Sequence, residues 1–550
     1  MRGDEIADIR FGGALLLRAV RAVVRDRDWN TVPVEVLEHR AEDSSLVIGL
    51  RFAAPGISYA ATLSLTLDEH DLVVDLDGCA LDDFERNRIG LVVLHPAADA
   101  GGAVEIEHSN GSTTAGRWPL DISAHQPFVD VKGVGWTTDG VTARLSLEGD
   151  VFETEDQRNW TDASFKTYST PLSLPFPVLV RAGEVCRQQV RLHATGRSTR
   201  RPGPIPNTVS VGTTVVGRLP TLNLCAGLFP APAEMPVRRT SYEAVLVELT
   251  GAEEEWPSLV AGAAAQAAAL GAGLDVRVVT AVPSAARRAL RLVGDEPVLR
   301  FGVFHPDTHL STEPLWVAAR DEARRSGFEG QLVGGTRAHF TELNRQQAQL
   351  PADAPALTFS LTPQMHASEV PHLLDSLAVQ RTVAENAVRI AAGRPLHIGP
   401  VTLARRFNAV ATSEPPEPAQ QAEQATDPLQ HAAFTAAWTL ASVAALAVPG
   451  VASLTYFETI GPRGVLRADG TPTPAAAVLD DLAALRGRVV RACTASPAVG
   501  ALAVEAAAGS VELRLANVTG DEQVVTAVGP SGTSRRLTLD GWAWAVLTLD

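Results

Sequence analysis

At 550 residues the chain exceeds what one hydrophobic core ordinarily organises, so two to four domains are expected. Apolar residues at 45% and charged ones at 20% are the balance of a soluble globular protein, which excludes a disordered or fibrous chain. With 47 Lys plus Arg against 63 Asp plus Glu, the net charge of -16 offers no field for phosphate backbones and argues against nucleic acid as a partner.

Met1-Arg2-Gly3-Asp4-Glu5 puts acids where an export signal needs a basic region and an apolar run. Cys79, Cys186, Cys225 and Cys493 show neither paired metal spacing nor a disulfide framework, which points to a reducing, cytoplasmic compartment. Up to about Thr195 short alternating runs are separated by turn residues, as in Ser45–Leu50, Ala60–Leu67 and Asp71–Leu76. This predicts an antiparallel β-sandwich over residues 1–197, its first strand starting abruptly at Ile6. Within it, Phe152–Tyr168 does not alternate. It crowds Glu155, Asp156, Arg158, Asn159, Asp162 and Lys166 around Trp160 and Phe165. That density of opposite charge beside aromatics suits recognition of a polyhydroxylated ligand, so Asp156, Arg158, Asp162 and Lys166 are candidate binding residues. A structural network between domains is the alternative.

Arg197 to Pro206 is basic and proline-rich and reads as a linker. After it, apolar runs alternate with helical segments about eight times, the pattern of a TIM (β/α)8 barrel over 207–488. The strands are expected at Thr221–Cys225, Ala244–Leu249, Val276–Val282, Val298–Val303, Gln331–Gly334, Leu357–Leu361, Leu396–Pro400 and Ala452–Phe457. Helices are expected at Trp256–Leu270, Pro283–Leu292, Glu313–Arg325, Glu369–Arg389, Leu429–Ala447 and Pro474–Leu485, with none evident after the first and fifth strands. The uncharged stretch Ala432 to Gly450 is rich in Ala, Thr and Ser and ends at Pro449-Gly450, which predicts a buried helix rather than a membrane span. Alternation returns over 489–550, a small C-terminal β domain. The whole is an α+β multidomain chain.

A βα barrel places its chemistry at the carboxyl ends of its strands. Glu342 follows the fifth strand with Asn344 and Arg345, Gln364 and His366 follow the sixth, and Tyr456 and Glu458 end the eighth. Glu248 closes the second. Two opposed carboxylates permit acid, base or nucleophilic work, so Glu342 and Glu458, with His366, are the candidate catalytic residues. Glu248, Asn344, Arg345, Gln364 and Tyr456 are candidate substrate contacts. Ion pairs with Arg345 or Arg463 are the structural alternative for the two glutamates. His305 and His309 have His-x-x-x-His spacing, but Pro306 and Asp307 between them read as a loop, so no metal is expected. No nucleophile elbow, phosphate-binding loop or dinucleotide fingerprint is present, and no cofactor is expected. The polar, proline-bearing stretch Asn408 to Leu429 is a lid candidate or an idle insertion.

Glu155–Tyr168 resembles the signature stretch of the D-apionate lactonase family. So do Val24–Thr31, Asn87–Leu91, Thr341–Arg345, Pro363–Ala367 and Thr455–Glu458, and the similarity spans essentially the whole chain. The first-domain block is the specific part, and the family's first strand is missing here. The resemblance implies a β domain, a TIM barrel and a C-terminal β domain. It also implies hydrolysis of a sugar lactone, D-apionolactone to D-apionate, in apiose catabolism, with that small molecule as the partner. A retaining glycoside hydrolase using the same two glutamates, or a carbohydrate-binding protein without chemistry, are the rival readings of the barrel.

Overall fold

The computed structural model describes residues 1–198, 207–227, 240–294, 296–414, 416–506 and 510–549. The chain divides into two compact units, Met1–Pro204 with Val410–Pro416, and Ile205–Ala409 with Glu417–Asp550.

In the first unit, alternation along the strands does what the sequence dictates. Val141–Glu148 buries every second side chain, because successive side chains of a strand point to opposite faces. Such strands build one continuous 15-stranded antiparallel sheet, from Ile6–Phe11 at one end of its strand order to Val34–Glu42 at the other. Leu17, Phe52, Leu63, Leu145, Phe152 and Val190, from strands far apart in that order, meet in one core. Each such side chain contributes about 1.5–3 kcal/mol by leaving water.

The segment from Phe152 is a hairpin of Phe152–Asp156 and Ser164–Ser169 joined by a 3-10 turn, which is why it fails to alternate. Val24–Thr31 runs from a strand end into a tight turn in which Asp26 accepts the N–H groups of Asp28 and Asn30, each at 2.8 Å. Arg88 lies 5.2 Å from the Trp29 ring centroid, and Asp28 accepts from the N–H and hydroxyl of both Thr412 and Ser413.

In the second unit eight parallel strands close into a barrel, the first pairing with the eighth from Thr221↔Ser453 to Cys225↔Glu458. The strands are Thr221–Cys225, Ala244–Leu249, Gly273–Val279, Val298–Phe304, Gln331–His339, Leu357–Leu361, Leu396–Val401 and Val451–Ile460. Helices Trp256–Leu270, Pro283–Leu292, Glu313–Ser326, Val370–Ala391, Ala433–Leu446 and Pro474–Ala483 follow the strands to which the sequence assigned them. The fifth strand is followed by a single short helix, Phe340–Arg345. The connection after the first strand, at 228–239, and most of the Arg197–Pro206 linker lie outside the described residues. The stretch from Ala432 is a buried helix packed in the barrel wall. Among the described residues no helix is long and apolar enough to cross a membrane.

The C-terminal strands form a seven-stranded sheet with one recruit from earlier in the chain. Thr208–Arg218, placed with the barrel on sequence, pairs instead with Val489–Thr494 and Gln523–Val528. Its Val209 and Val211 complete that sheet's own core, which gives the strand a face to bury that the barrel would not supply.

Candidate active site at the carboxyl ends of the barrel strands

Glu248, one residue from the end of the second strand, is the hub of the barrel mouth. Arg337, from the fifth strand, reaches its carboxylate with two nitrogens at 2.9 and 3.3 Å. Arg406, beyond the seventh strand, adds a third bond at 2.9 Å and donates to the Arg337 carbonyl at 2.9 Å. Burial alone would raise the Glu248 carboxyl, but the two guanidiniums outweigh it and hold the group well below the usual carboxylate range. Phe407 presents its ring to both arginines, 4.2 Å from the Arg337 guanidinium and 5.2 Å from that of Arg406. His309 and His339 lie against the same ring, at 4.9 and 6.2 Å between centroids.

One level nearer the amino ends of the strands, a buried charge set supports this floor. Asp275 bonds Arg277 at 3.3 Å and Arg300 at 3.0 Å, and Arg277 reaches the Gly399 carbonyl at 2.8 Å. These groups are almost fully buried, so their mutual pairing is what makes them tolerable inside the barrel.

Glu458 reaches the mouth through a backbone irregularity. Along the eighth strand Ser453 bonds His397, while the Tyr456 hydroxyl bonds Ser442 on the helix outside. Strict alternation would therefore turn Glu458 outward with Tyr456. Between them the register slips by one residue, Leu224 pairing Tyr456 and Cys225 pairing Glu458, with Phe457 at φ 40°. This bulge returns Glu458 to the interior. One carboxylate oxygen meets Arg463 at 2.5 Å; the other, Oε2, is buried without a hydrogen-bond partner among the described residues. Burial drives the Glu458 carboxyl up, against the pull of Arg463 and Arg406.

Two further buried groups at this end lack partners among the described residues, Nε of Arg406 and both ring nitrogens of His339. His339 caps the short helix through its backbone, and although its ring faces the helix start as in a capping box, neither nitrogen reaches hydrogen-bonding geometry. Burial and the charges of Arg406 and Arg405 push the imidazole down to about 3, so it is neutral and offers one donor and one acceptor. Arg406 is the common neighbour: its charge acts on Glu248, Glu458, His309 and His339.

The structure thus brings Glu248 and Glu458 to one mouth but treats other candidates differently. Glu342 turns back to accept the His339 N–H at 2.9 Å, and burial pushes its carboxyl up to about 7 against Arg345 and that N–H. No hydrogen bond among the described residues joins Glu342 to Glu458. Asn344 is buried on the same short helix, with Arg345 half-buried at its end. Gln364 bonds Asp427, and His366 is half-buried on the same loop. Tyr456 faces the helix layer, a correction to its expected place at the substrate. In the first unit, Asp156 and Arg158 pair at 2.7 Å and Arg158 also holds the Pro119 carbonyl. Lys166 pairs Glu155 at 2.6 Å, and Asp162 is buried in the same hairpin. The partners shown for Asp156, Arg158 and Lys166 all lie within this domain. The His305-x-x-x-His309 spacing falls in a turn.

Sequence reasoning missed Arg337, Arg406 and Phe407. Their signal was present: an Arg in an otherwise small-residue strand end, and Arg405-Arg406-Phe407 directly past the seventh strand.

Family models for D-apionate lactonase match along the chain: the N-terminal domain over residues 1–197, the TIM barrel domain over 231–487 and the C-terminal immunoglobulin-like domain over 497–547. The D-apionate lactonase of Brucella anthropi is 28% identical over 507 residues, 86% of this chain and 83% of that protein. Among solved structures, a GH30 endoxylanase from Clostridium papyrosolvens C71 aligns with a TM-score of 0.41 and 9% identity, over 62% of this chain and 99% of that one. The GH51 arabinofuranosidase from Xanthomonas axonopodis pv. citri gives 0.38 and 13%, over 62% and 97%. Both are too distant to bear on the chemistry. With its three domains matched in order, the chain belongs to the D-apionate lactonase family and is a carboxylic-ester hydrolase of the lactonase kind.

Proposed function

We propose that this protein opens a sugar lactone, D-apionolactone to D-apionate, at the barrel mouth, serving apiose catabolism in the cytoplasm. The observation that carries the reading is the set of buried polar atoms around Arg406 without partners among the described residues: Glu458 Oε2, Arg406 Nε and the His339 nitrogens. Each such atom costs on the order of 1–3 kcal/mol, which a bound polyhydroxylated ester would offset.

Glu458 acts as general base. Its free oxygen takes a proton from water as the water oxygen bonds to the lactone carbonyl carbon. Negative charge then gathers on the former carbonyl oxygen, where Arg406 supplies a fixed cation and a free N–H. Collapse re-forms the carbonyl and breaks the bond to the ring oxygen, which receives the same proton back from Glu458. The released carboxylic acid ionises in solvent. His339, being neutral, pairs with substrate hydroxyls, and Glu248 stays ionised to hold both arginines in place. Glu342 serves as a helix cap.

Incubation with a panel of aldonolactones and aryl glycosides tests the reading. Acid release from lactones alone is expected; aglycone release without lactone opening would overturn it.

A further inference from the structure

Arg406 and Phe407 sit on the chain that leaves the seventh strand, and that chain is tied to the loop after the sixth. Thr402 N–H bonds the Leu361 carbonyl at 3.0 Å, and the Thr362 hydroxyl bonds the Leu403 carbonyl at 2.6 Å. Gln364 then forms a parallel bridge with Ala404, two residues before Arg406. Its side-chain amide crosses to Oδ2 of Asp427, whose Oδ1 accepts the Leu429 N–H at 2.6 Å. Asp427 is only 6% exposed and Gln364 is half-buried, so the bond is partly shielded from water. Between the two anchors, Gln421 of helix Pro418–Gln424 donates to the Arg406 carbonyl at 3.2 Å.

We propose that Gln364 is a positioning residue: through Asp427 it closes the excursion between Ala404 and Leu429 and so fixes Arg406 over the reacting carbonyl. The proposal rests on the lactonase reading above. It replaces a direct substrate contact for Gln364 with an action through Asp427.

The test is a reciprocal exchange. Gln364→Glu alone sets two carboxylates against each other, whereas Asp427→Asn alone can re-form the bond with the Gln364 amide turned over, and so serves only as a parent of the exchange. Gln364→Glu with Asp427→Asn restores one amide donor to one carboxylate, and the amide introduced at position 427 keeps an oxygen for the Leu429 N–H. Gln364→Glu is expected to lower kcat about 10- to 100-fold with little change in KM, the scale of a misplaced catalytic group. The exchange should recover most of the loss. Trypsin cleavage after Arg405 or Arg406 should quicken in Gln364→Glu and slow again in the exchange. A normal Gln364→Glu, or an exchange no better than Gln364→Glu alone in both readouts, would overturn the latch, as would a rise in KM without rescue. An unaltered protein that opens no lactone would overturn the reaction instead, with the trypsin pattern still deciding the latch.

Discussion

Arg337 and Glu248 meet in a two-nitrogen grip with the Phe407 ring 4.2 Å from the guanidinium, so the carboxylate fixes the cation's plane. A second guanidinium, that of Arg406, shares the same carboxylate. Removing Glu248 therefore strands two cations at once.

Glu248→Ala is expected to destabilise the fold by about 3–5 kcal/mol, read as a lower denaturation midpoint, because it leaves buried charge without a partner. The sign of the pH dependence follows from the depressed carboxyl. The contribution is full above the ordinary carboxyl range and fades as pH falls below it, since only the unfolded chain takes up the proton there. Unaltered acid stability in Glu248→Ala would show that the pair contributes nothing.

Glu458→Gln keeps size and hydrogen bonding but loses the basic oxygen. Turnover should fall about 10²–10⁴-fold with KM little changed. In the unaltered enzyme, the acidic limb of the kcat/KM profile should sit above the ordinary carboxyl range, because burial raises Glu458. Arg463→Gln removes a cation that favours the ionised form, so that limb should move to higher pH, with the rate recovering in alkali. A limb unmoved by Arg463→Gln would mean that another group is titrating.

The barrel's elements were legible because their edges are written in local chemistry. Trp256–Leu270 and Pro283–Leu292 start with Pro in the first turn, and the first ends at Gly271 in the left-handed region. The site was less legible for two physical reasons. Arg337 and Arg406 reach Glu248 across 89 and 158 residues, and no spacing rule links partners so far apart. Alternation, sound over most of the eighth strand, fails at Phe457, so Tyr456 and Glu458 read as sharing a face in the sequence and do not share one in the fold. Glu342 is ambiguous for another reason, since an acid at the third position of a helix reads equally as catalyst or cap.

Glu342→Gln separates those roles. Its Oε1 can still accept the His339 N–H, so turnover should stay within a few-fold of normal. Stability should become less sensitive to pH. With the folded carboxyl raised to about 7, the folded chain holds a proton that the unfolded chain releases, and stability falls as pH rises through that window. The variant escapes the penalty and should gain on the order of 1–3 kcal/mol above neutrality. A large loss of turnover at unchanged stability would return Glu342 to the catalytic set.

Tyr456→Phe tests which way the eighth strand faces before its bulge. The Ser442 hydroxyl is 2.5 Å from Gln380 Oε1 and 2.7 Å from the Tyr456 oxygen. Its single proton goes to the amide oxygen, so Tyr456 must donate to Ser442. Losing the phenol leaves only a hydroxyl lone pair unmatched, while Ser442 keeps its bond to Gln380. The cost should be about 1 kcal/mol of stability, the ordinary worth of one buried hydrogen bond. Burial raises the phenol above its ordinary range, so it stays protonated through neutral pH and contributes no pH dependence to the rate. KM and kcat should both match the unaltered enzyme once temperature is kept well below the midpoint. A tenfold rise in KM with no change in the midpoint would instead place the Tyr456 hydroxyl at the substrate, and the outward face assigned to it here would be wrong.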